Sequence, residues 1–154
     1  DRPETGQQQT SKTSQATPSP VALPLFDPAP PAGTRHEAEA GQISGAAVTR
    51  RVAAASGGGM VGNLQRPGAA IAFDIDGGAK GGAFELVVGY ATPQGAICTL
   101  DVNGAKHAIR VPKTGGWQTF KAVRSTVMLK PGKTNRIEIK ARGANLDYFD
   151  FNAK

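Results

Sequence analysis

Three carboxylates are the side chains of this sequence best suited to hold a metal ion. Glu37 and Glu39 stand two residues apart in HEAEAG, and Asp147 lies in NLDYFDF. Residues two apart in a strand project from the same face, so both glutamates would leave one side of the chain. Calcium takes several hard oxygen ligands, and adjacent first and last strands could supply three of them. Three separately solvated carboxylates fit the spacing as well, and spacing alone favours them.

Trp117 and Asn145 are the candidates for contact with an organic ligand. Trp117, the only tryptophan, follows Gly115 and Gly116 in KTGGWQTF. A tryptophan after a flexible glycine pair is expected at a loop edge, where its flat apolar face can stack on a sugar ring. A tryptophan that anchors the loop in the core fits the same pattern. Asn145 offers an amide that can hydrogen-bond a ligand.

Motifs typical of catalysis fail in this sequence. GGGMVG at residues 57–62 fits G-x-G-x-x-G, but Pro67 stands where a phosphate-binding helix should continue. PGKT resembles the end of a P-loop, yet Val127 occupies the place of the required glycine. The single cysteine, Cys98, excludes an intrachain disulfide and is expected to be a buried apolar residue in a strand. A non-catalytic protein is therefore favoured.

Length and charge narrow the class of protein further. The 154 residues suit one domain, and 18 Lys and Arg against 12 acidic residues give a formal charge of +6. Such a charge favours anionic partners or simply keeps the protein soluble. The basic residues are scattered and aromatic residues make up only 6%, which argues against nucleic acid as a partner. The sequence contains no run of about 18 apolar residues, so no membrane span is predicted. The protein is expected to be a monomer.

Short strands separated by turns are predicted from Arg35 onward. Seven segments alternate or run apolar over strand lengths, at residues 69–76, 83–91, 96–102, 107–111, 118–129, 135–141 and 146–151. Asn103-Gly104 between two of them predicts a type I′ hairpin turn, and Pro131-Gly132 predicts a type II turn. The predicted fold is an all-β sandwich.

Residues 1–33 are predicted to be a disordered or extended linker, and residues 34–154 the folded domain. The first segment is rich in Pro, Ser, Thr and Gln and lacks hydrophobic periodicity, so it cannot bury enough apolar surface to fold. It should therefore be dispensable for folding. The apolar stretch VALPLF at residues 21–26 could instead dock on a neighbouring surface, although a free linker is the expected state there too.

The ordered set of motifs resembles the carbohydrate-binding modules of families 35 and 6. The motifs are EAEAGQISG, ASGGGMVGNLQRPGAAIAFDI, FELVVGYA, LDVNG, TGGWQTF, VMLKPGKTNRIEIKA and NLDYF, and they cover about residues 35–151. The resemblance implies a jelly-roll β-sandwich of two antiparallel sheets without catalytic activity. It further implies a secreted or cell-surface location and tethering, here through the linker, to a glycan-active enzyme or another extracellular protein.

The resemblance also implies roles for the residues named above. Glu37, Glu39 and Asp147 match the positions that bind a structural calcium in these families. Trp117 and Asn145 match the tryptophan and asparagine of the sugar site at the loop end of the sandwich.

Two residues depart from the family pattern. Ala55 and Met60 stand where relatives commonly have aromatic rings. Two interpretations follow for the cleft: a small acidic sugar such as a uronic acid, held partly by an arginine (Arg50, Arg51 or Arg66), or a cleft that no longer binds sugar. In the second case the domain would be a structural or interaction module that contacts its parent enzyme or another protein.

Overall fold

The protein is a sandwich of two β-sheets. The computed structural model describes residues 21–27, 34–132 and 135–154. In these ranges the strands are β1 (Val21–Ala22), β2 (Leu25–Phe26), β3 (Thr34–Glu37), β4 (Gln42–Ser44), β5 (Val48–Arg51), β6 (Gly59–Gly62), β7 (Ala70–Ile75), β8 (Gly82–Ala91), β9 (Ala96–Val102), β10 (Ala105–Val111), β11 (Phe120–Leu129), β12 (Asn135–Arg142) and β13 (Asn145–Ala153). Two short 3-10 helices span Ala38–Ala40 and Ser56–Gly58.

One sheet has six strands and the other has seven. The six-stranded sheet has the order β1-β10-β9-β12-β7-β4, and the seven-stranded sheet has the order β2-β11-β8-β13-β6-β5, with β3 also paired to β13. The described pairings are antiparallel except for the parallel pair β1 and β10. This architecture confirms the predicted all-β jelly-roll sandwich. No helix among the described residues is long and apolar enough to cross a membrane.

The core lies between the sheets and follows from strict alternation along the strands. In β12, Ile137, Ile139 and Ala141 are buried while the residues between and beyond them face outward. Cys98 is 2% exposed and belongs to the same core, as predicted. Burial raises the pKa of its thiol to about 12, so the thiol stays neutral.

The seven predicted strands are all present, with small shifts at their ends. The predicted hairpin turn is confirmed, because Asn103 and Gly104 both have positive φ, 53° and 92°, as a type I′ turn requires. The turn connects β9 to β10 through the pair Val102 and Ala105. Pattern analysis did not assign strands β1, β2, β4 and β5, which span two to four residues each.

Strand β13 contains a β-bulge at Asp147. Its register with β8 shifts between Leu146 and Tyr148, so Asp147 is an extra residue in the ladder. Leu146 and Phe149, three positions apart, consequently both lie in the core, although strict alternation would place them on opposite faces. The bulge takes Asp147 out of the regular alternation and leaves it 1% exposed.

A stacked arrangement on the outer face of the seven-stranded sheet holds β3 against β13. A Cβ atom on Gly89 of β8 would lie 2.2 Å from the ring of Tyr148, so only glycine lets the ring cross the strand there. The guanidinium of Arg35 lies 3.7 Å from the centre of that ring. It also donates two hydrogen bonds of 2.7 Å to the carboxylate of Asp150. These contacts fix the strand that ends at Glu37.

Residues 21–27 are docked on the sandwich and extend both sheets. Leu23 packs against the main core, and Phe26 packs beside Tyr148 on the outer face. Arg124 lies 4.7 Å from the centre of the Phe26 ring, and Lys121 forms an ion pair with Asp27. The segment therefore crosses from the edge of one sheet to the edge of the other.

This docking differs from the free linker expected at residues 21–27. That the first 33 residues are dispensable for folding stays a prediction. The alternative noted for residues 21–26 is the arrangement found, because β1 and β2 pair with β10 and β11 and the side chains of Leu23 and Phe26 are partly buried, while Leu25 is exposed. The domain boundary at residue 34 stays a prediction, and residues 1–20 and 28–33 lie outside the described residues.

A chain that starts at Thr34 is expected to be less stable than one that starts at Val21. The shorter chain loses the burial of Leu23 and Phe26 and two edge pairings, which together contribute about 2 kcal/mol. Calorimetric melting of the two truncations measures the difference, with the full chain as the control that should match the longer truncation. Equal midpoints for all three chains would contradict the docking.

Candidate functional site

The three predicted metal-binding carboxylates converge on one region at the start of β13. Glu37 ends β3, and Asp147 occupies the bulge of the neighbouring strand β13. Glu39 lies in the 3-10 helix Ala38–Ala40, so the expectation that both glutamates share one strand face is wrong. The chain turns after Glu37, where buried Ala38 begins the helical turn and the Gly41 N–H closes it on the Ala38 carbonyl at 3.2 Å.

Ser56, which the sequence analysis did not identify, connects two of these carboxylates. Its backbone N–H donates to Asp147 Oδ2 at 3.0 Å, and its hydroxyl donates to Glu37 Oε2 at 2.8 Å. Arg35 in turn donates to the Ser56 hydroxyl at 3.2 Å. The 3-10 helix Ser56–Gly58 thus holds one oxygen atom of each of the two carboxylates.

Three of the four remaining oxygen atoms of the cluster are buried without a hydrogen-bond donor among the described residues. They are Glu37 Oε1, Glu39 Oε1 and Asp147 Oδ1. Burial raises the pKa of Asp147 to about 7, against the opposing Ser56 hydrogen bond, and the charges of Glu37 and Glu39 raise it further. Burial also raises the pKa of Glu39, assisted by the charge of Glu37. Burying three like charges is unfavourable unless a cation or proton compensates them.

Two glycines of the GGGMVG stretch make room for the glutamates. A Cβ atom on Gly59 would lie 2.7 Å from Glu39 Oε2, and one on Gly57 would lie 3.1 Å from Glu37 Cδ. A side chain on Gly59 would force Glu39 to shift, and Gly57 also has a φ of 65°, which favours glycine. This packing role explains the glycine run that otherwise resembles a dinucleotide-binding motif.

The donor set of the cluster fits a hard cation. Across residues 21–27, 34–132 and 135–154, no group of three or more His, Cys, Asp or Glu side chains is arranged so that it could hold a metal ion. The three carboxylates nevertheless direct buried, undonated oxygen atoms into one electrostatically coupled region. Carboxylate oxygens are the ligands that calcium prefers, so the residues present are compatible with that ion.

Trp117 and Asn145 line a second cavity beside the carboxylates. Trp117 is 52% exposed, so it stands at a loop edge and does not anchor the loop in the core. The cavity has a volume of about 340 Å³. Its lining residues are Arg50, Met60, Asn63, Gln65, Trp117, Gln118 and Asn145. An exposed ring among polar groups is the usual composition of a site that binds a small polar ligand.

Hydrogen bonds hold the loop that presents Trp117. The side-chain amide of Asn145 donates to the Trp117 carbonyl at 3.0 Å, so part of this amide is used to position the tryptophan. The Thr114 hydroxyl accepts from the Thr92 N–H at 3.0 Å, and the Thr114 N–H donates to the Thr92 carbonyl at 2.8 Å. Tyr90 donates its hydroxyl to the Pro112 carbonyl at 2.6 Å. These contacts fix the loop at Pro112, Thr114 and the Trp117 backbone.

The two residues that replace aromatic rings have different surroundings. Ala55 is buried with Val52, Ala91 and Phe120 and does not line the cavity. Met60, in the same cluster, is 3% exposed and forms part of the cavity wall. The tryptophan is consequently the only aromatic ring lining this cavity among the described residues.

The three candidate arginines are not equivalent. Arg50 lines the Trp117 cavity and also a neighbouring cavity of about 310 Å³ next to Glu39. Arg51 lines only the second of these. Arg66 is exposed and lines neither. Of the three, Arg50 is therefore the one placed to meet a ligand stacked on Trp117.

The family of the chain follows from comparison with known sequences. Residues 37–153 match the model of the carbohydrate-binding module family 6. The chain therefore belongs to this family of carbohydrate-binding modules, which confirms the resemblance seen in the motifs. No curated protein sequence matches the chain.

Solved structures give the same assignment. A family 35 carbohydrate-binding module from Clostridium thermocellum is 28% identical, with a TM-score of 0.72, and the match covers 78% of this chain and 98% of that one. An uncharacterized Listeria monocytogenes protein, in complex with α-D-glucose, β-D-glucose, magnesium and calcium, is also 28% identical, with a TM-score of 0.71. That match covers 77% of this chain but only 12% of the Listeria protein.

An enzyme contains a similar domain. The exo-β-1,3-galactanase of Phanerochaete chrysosporium, solved with galactose, is 25% identical, with a TM-score of 0.70. The match covers 78% of this chain and 29% of the galactanase. The similarity is thus confined to a minor part of that enzyme, and the family itself indicates a binding module without catalytic activity.

Asp147→Asn is expected to stabilise the chain in EDTA at pH 8 by roughly 2 kcal/mol and to have little effect near pH 4. A carboxyl whose pKa is raised to about 7 in the folded state contributes stability at low pH that is lost as the pH rises through that value. The side-chain oxygen of the asparagine can still accept the hydrogen bond from the Ser56 N–H, but the substitution buries no charge. Urea unfolding at both pH values measures the effect, with exposed Asp74→Asn as the control. A gain that is equal at both pH values would contradict this origin.

Proposed function

We propose that this chain is a non-catalytic module that binds a sugar in the Trp117 cavity and targets a parent protein to its glycan. The observation that carries the proposal is the exposed ring of Trp117 beside Asn145, in a loop held by hydrogen bonds at Thr114 and at the Trp117 backbone. A ring fixed in this way loses little conformational freedom when a ligand stacks on it. Membership of the family supports the same function.

The lining of the cavity suits one sugar ring. The apolar face of a pyranose would stack on Trp117 and contact Met60, while its hydroxyls would meet the amides of Asn63, Gln65 and Gln118. With one aromatic ring instead of several, we expect a weak site that depends on its polar contacts.

We further propose that the preferred sugar is acidic. Arg50 is the only charged residue that lines the cavity among the described residues. A uronic acid carboxylate would accept charge-assisted hydrogen bonds from this guanidinium while its ring rests on Trp117. A neutral sugar would leave that cation without a partner of opposite charge.

Two observations favour sugar binding over the alternative of a structural or interaction domain. An interaction domain would be expected to cover its tryptophan, whereas Trp117 is half exposed. The docked residues 21–27 pair with β10 and β11 and do not line the cavity. The cavity is therefore accessible in the described part of the chain.

The setting of the module is part of the proposal. A secreted or cell-surface protein, tethered through residues 1–33 to a glycan-active enzyme, would use a monomeric module of this kind to stay near its substrate. The match to one part of a galactanase supports a parent enzyme. The galactanase activity is a property of that enzyme and is not assigned to the parent of this module.

We propose that Glu37, Glu39 and Asp147 bind a structural calcium ion. Their three buried oxygen atoms without donors support this, as does the calcium in the similar Listeria protein. A bound calcium would compensate the buried negative charge and link β3, the following 3-10 helix and β13. Ser56 and Arg35 would hold the carboxylates of Glu37 and Asp147 in place.

Calcium is expected to raise the melting temperature of the chain relative to a sample in EDTA. An ion that binds only the folded state stabilises it by about 2.7 kcal/mol at a hundredfold excess over its dissociation constant. Glu37→Gln and Asp147→Asn should each lose most of the response, and Asp74→Asn should retain it. Equal melting temperatures of the unsubstituted chain in calcium and in EDTA would exclude a structural calcium ion.

Trp117→Ala is expected to abolish binding of galacturonic acid, and Asn145→Ala to weaken it strongly, with little change in the melting midpoint. Isothermal titration measures both, with exposed Met128→Ala as the control for loss of an apolar surface side chain. Arg50→Gln should reduce the affinity for the acid more than for galactose. Binding should weaken with salt, because exposed charges are screened over about 8 Å at physiological ionic strength.

Two results would argue against these assignments. Tighter binding of neutral sugars than of uronic acids would exclude the acidic ligand while leaving the cavity as a sugar site. Unchanged affinity in both Trp117→Ala and Asn145→Ala would exclude the cavity itself. The interaction-domain hypothesis would then replace sugar binding.

A further inference from the structure

A basic cavity lies on the outer face of the six-stranded sheet, outside the site described above. Its volume is about 460 Å³. The lining residues are Gln94, Gly95, Ala96, Ile97, Arg110, Val111, Pro112, Lys113 and Arg142. Three of these are cations, and none of the described lining residues is acidic. A concave surface with this charge is suited to an anionic ligand.

The sheet register places two of the cations in one row. Arg110 of β10 pairs with Ile97 of β9, which pairs in turn with Arg142 of β12. Register partners project from the same face of a sheet, and Arg110 and Arg142 are two strands apart, about 10 Å. Both arginines are exposed, on either side of half-buried Ile97. The row presents two guanidinium groups flanking an apolar patch.

These cations are not paired with carboxylates of the described residues. Within the described residues, none of Arg110, Lys113 and Arg142 has a carboxylate within 4.0 Å. By contrast, Lys106 of β10 forms an ion pair with Asp101, and Arg136 of β12 forms one with Asp74. The end of the sheet nearest the Trp117 loop therefore carries its positive charge uncompensated.

A third cavity connects the basic cavity to the Trp117 cavity. It measures about 390 Å³ and is lined by Thr92, Pro93, Gln94, Gly95, Trp117 and Gly143. It shares Trp117 with the sugar cavity, and Gln94 and Gly95 with the basic cavity. The three cavities are thus neighbours in a series around the loop end of the sandwich, each sharing lining residues with the next.

We propose that this series is an extended binding path for an acidic polysaccharide, in which Arg110, Lys113 and Arg142 bind carboxylate groups several sugar units away from the one stacked on Trp117. The proposal rests on the function proposed above, since the path begins at the Trp117 cavity. It adds a second binding region and defines the ligand as a polymer whose negative charges recur along its length.

A polysaccharide fits the path better than a nucleic acid does. Proteins that bind single-stranded nucleic acids stack successive bases on several rings. Along this path Trp117 is the only aromatic side chain among the described lining residues. The remaining contacts are amides, apolar patches and guanidinium groups, which suit hydroxyl and carboxylate groups.

The test compares two ligands and three variants. The ligands are galacturonic acid, which fills only the Trp117 cavity, and long polygalacturonate, which can cover the whole path. The variants are Arg110→Gln with Arg142→Gln, the control Lys80→Gln with Lys130→Gln, and Trp117→Ala. Both double variants remove two positive charges, and Lys80 and Lys130 are exposed residues that line none of the three cavities.

The arginine double variant should weaken polygalacturonate binding about fivefold, a modest loss because exposed charge contacts are weak. It should leave galacturonic acid binding and the melting midpoint unchanged. The lysine control should change neither affinity. Trp117→Ala should abolish galacturonic acid binding and weaken the polymer. Fully methyl-esterified polygalacturonate, which lacks the carboxylate charges, should bind the unsubstituted chain and the arginine double variant equally.

Three outcomes would overturn the path. If both double variants bind polygalacturonate equally, the basic cavity takes no part, and the Trp117 site stands alone. If Trp117→Ala changes neither ligand while the arginine double variant weakens the polymer, the sugar cavity fails and the basic region is a separate anion site. If duplex DNA of similar charge binds as tightly and with the same dependence on the two arginines, the region binds polyanions without regard to sugar.

Discussion

The β-bulge at Asp147 is the constraint on which both candidate sites depend. Strand β13 lies in the middle of its sheet, so its backbone pairs with a neighbouring strand on either side. One extra residue reverses the alternation there, so that Leu146 and Phe149 both reach the core while Asp147 leaves it. Asn145, two residues earlier, falls on the other side of the irregularity and lines the Trp117 cavity. A regular strand would direct Asn145 and Asp147 to one face and merge two distinct environments.

The two sites are adjacent, and Arg50 is the residue they have in common. It lines the Trp117 cavity and also the cavity beside Glu39. The nearby carboxylates therefore contribute negative potential close to a guanidinium that we assign to ligand recognition. Compensation of these carboxylates by a cation would leave more of the Arg50 charge available to an acidic sugar. Stability and recognition would thereby be coupled over a short distance, without any change of conformation.

Sequence patterns predicted what depends on local periodicity and turn chemistry. The alternation of Ile137 and Ile139 and the Asn103-Gly104 turn each specify their own structure. The bulge was not predictable, because pairing with β8 creates it, and Glu39 was misplaced because packing of Ala38 ends the strand early. Ser56 has no distinctive pattern among small residues. The orientation of Trp117 could not be decided from KTGGWQTF alone, since the contact that fixes it comes from Asn145, 28 residues further along the chain.

The tryptophan and the two tyrosines lie in different parts of the protein, so their optical signals report on different regions. The one tryptophan is half exposed in the ligand loop, while both tyrosines, Tyr90 and Tyr148, are fully buried in the sandwich. Tryptophan emission excited at long wavelength therefore reports on the loop alone. Tyrosine ellipticity in the near ultraviolet reports mainly on side-chain packing within the two sheets. Occupancy of the cavity and integrity of the fold can thus be followed separately in one unlabelled sample, because the natural chromophores are already segregated.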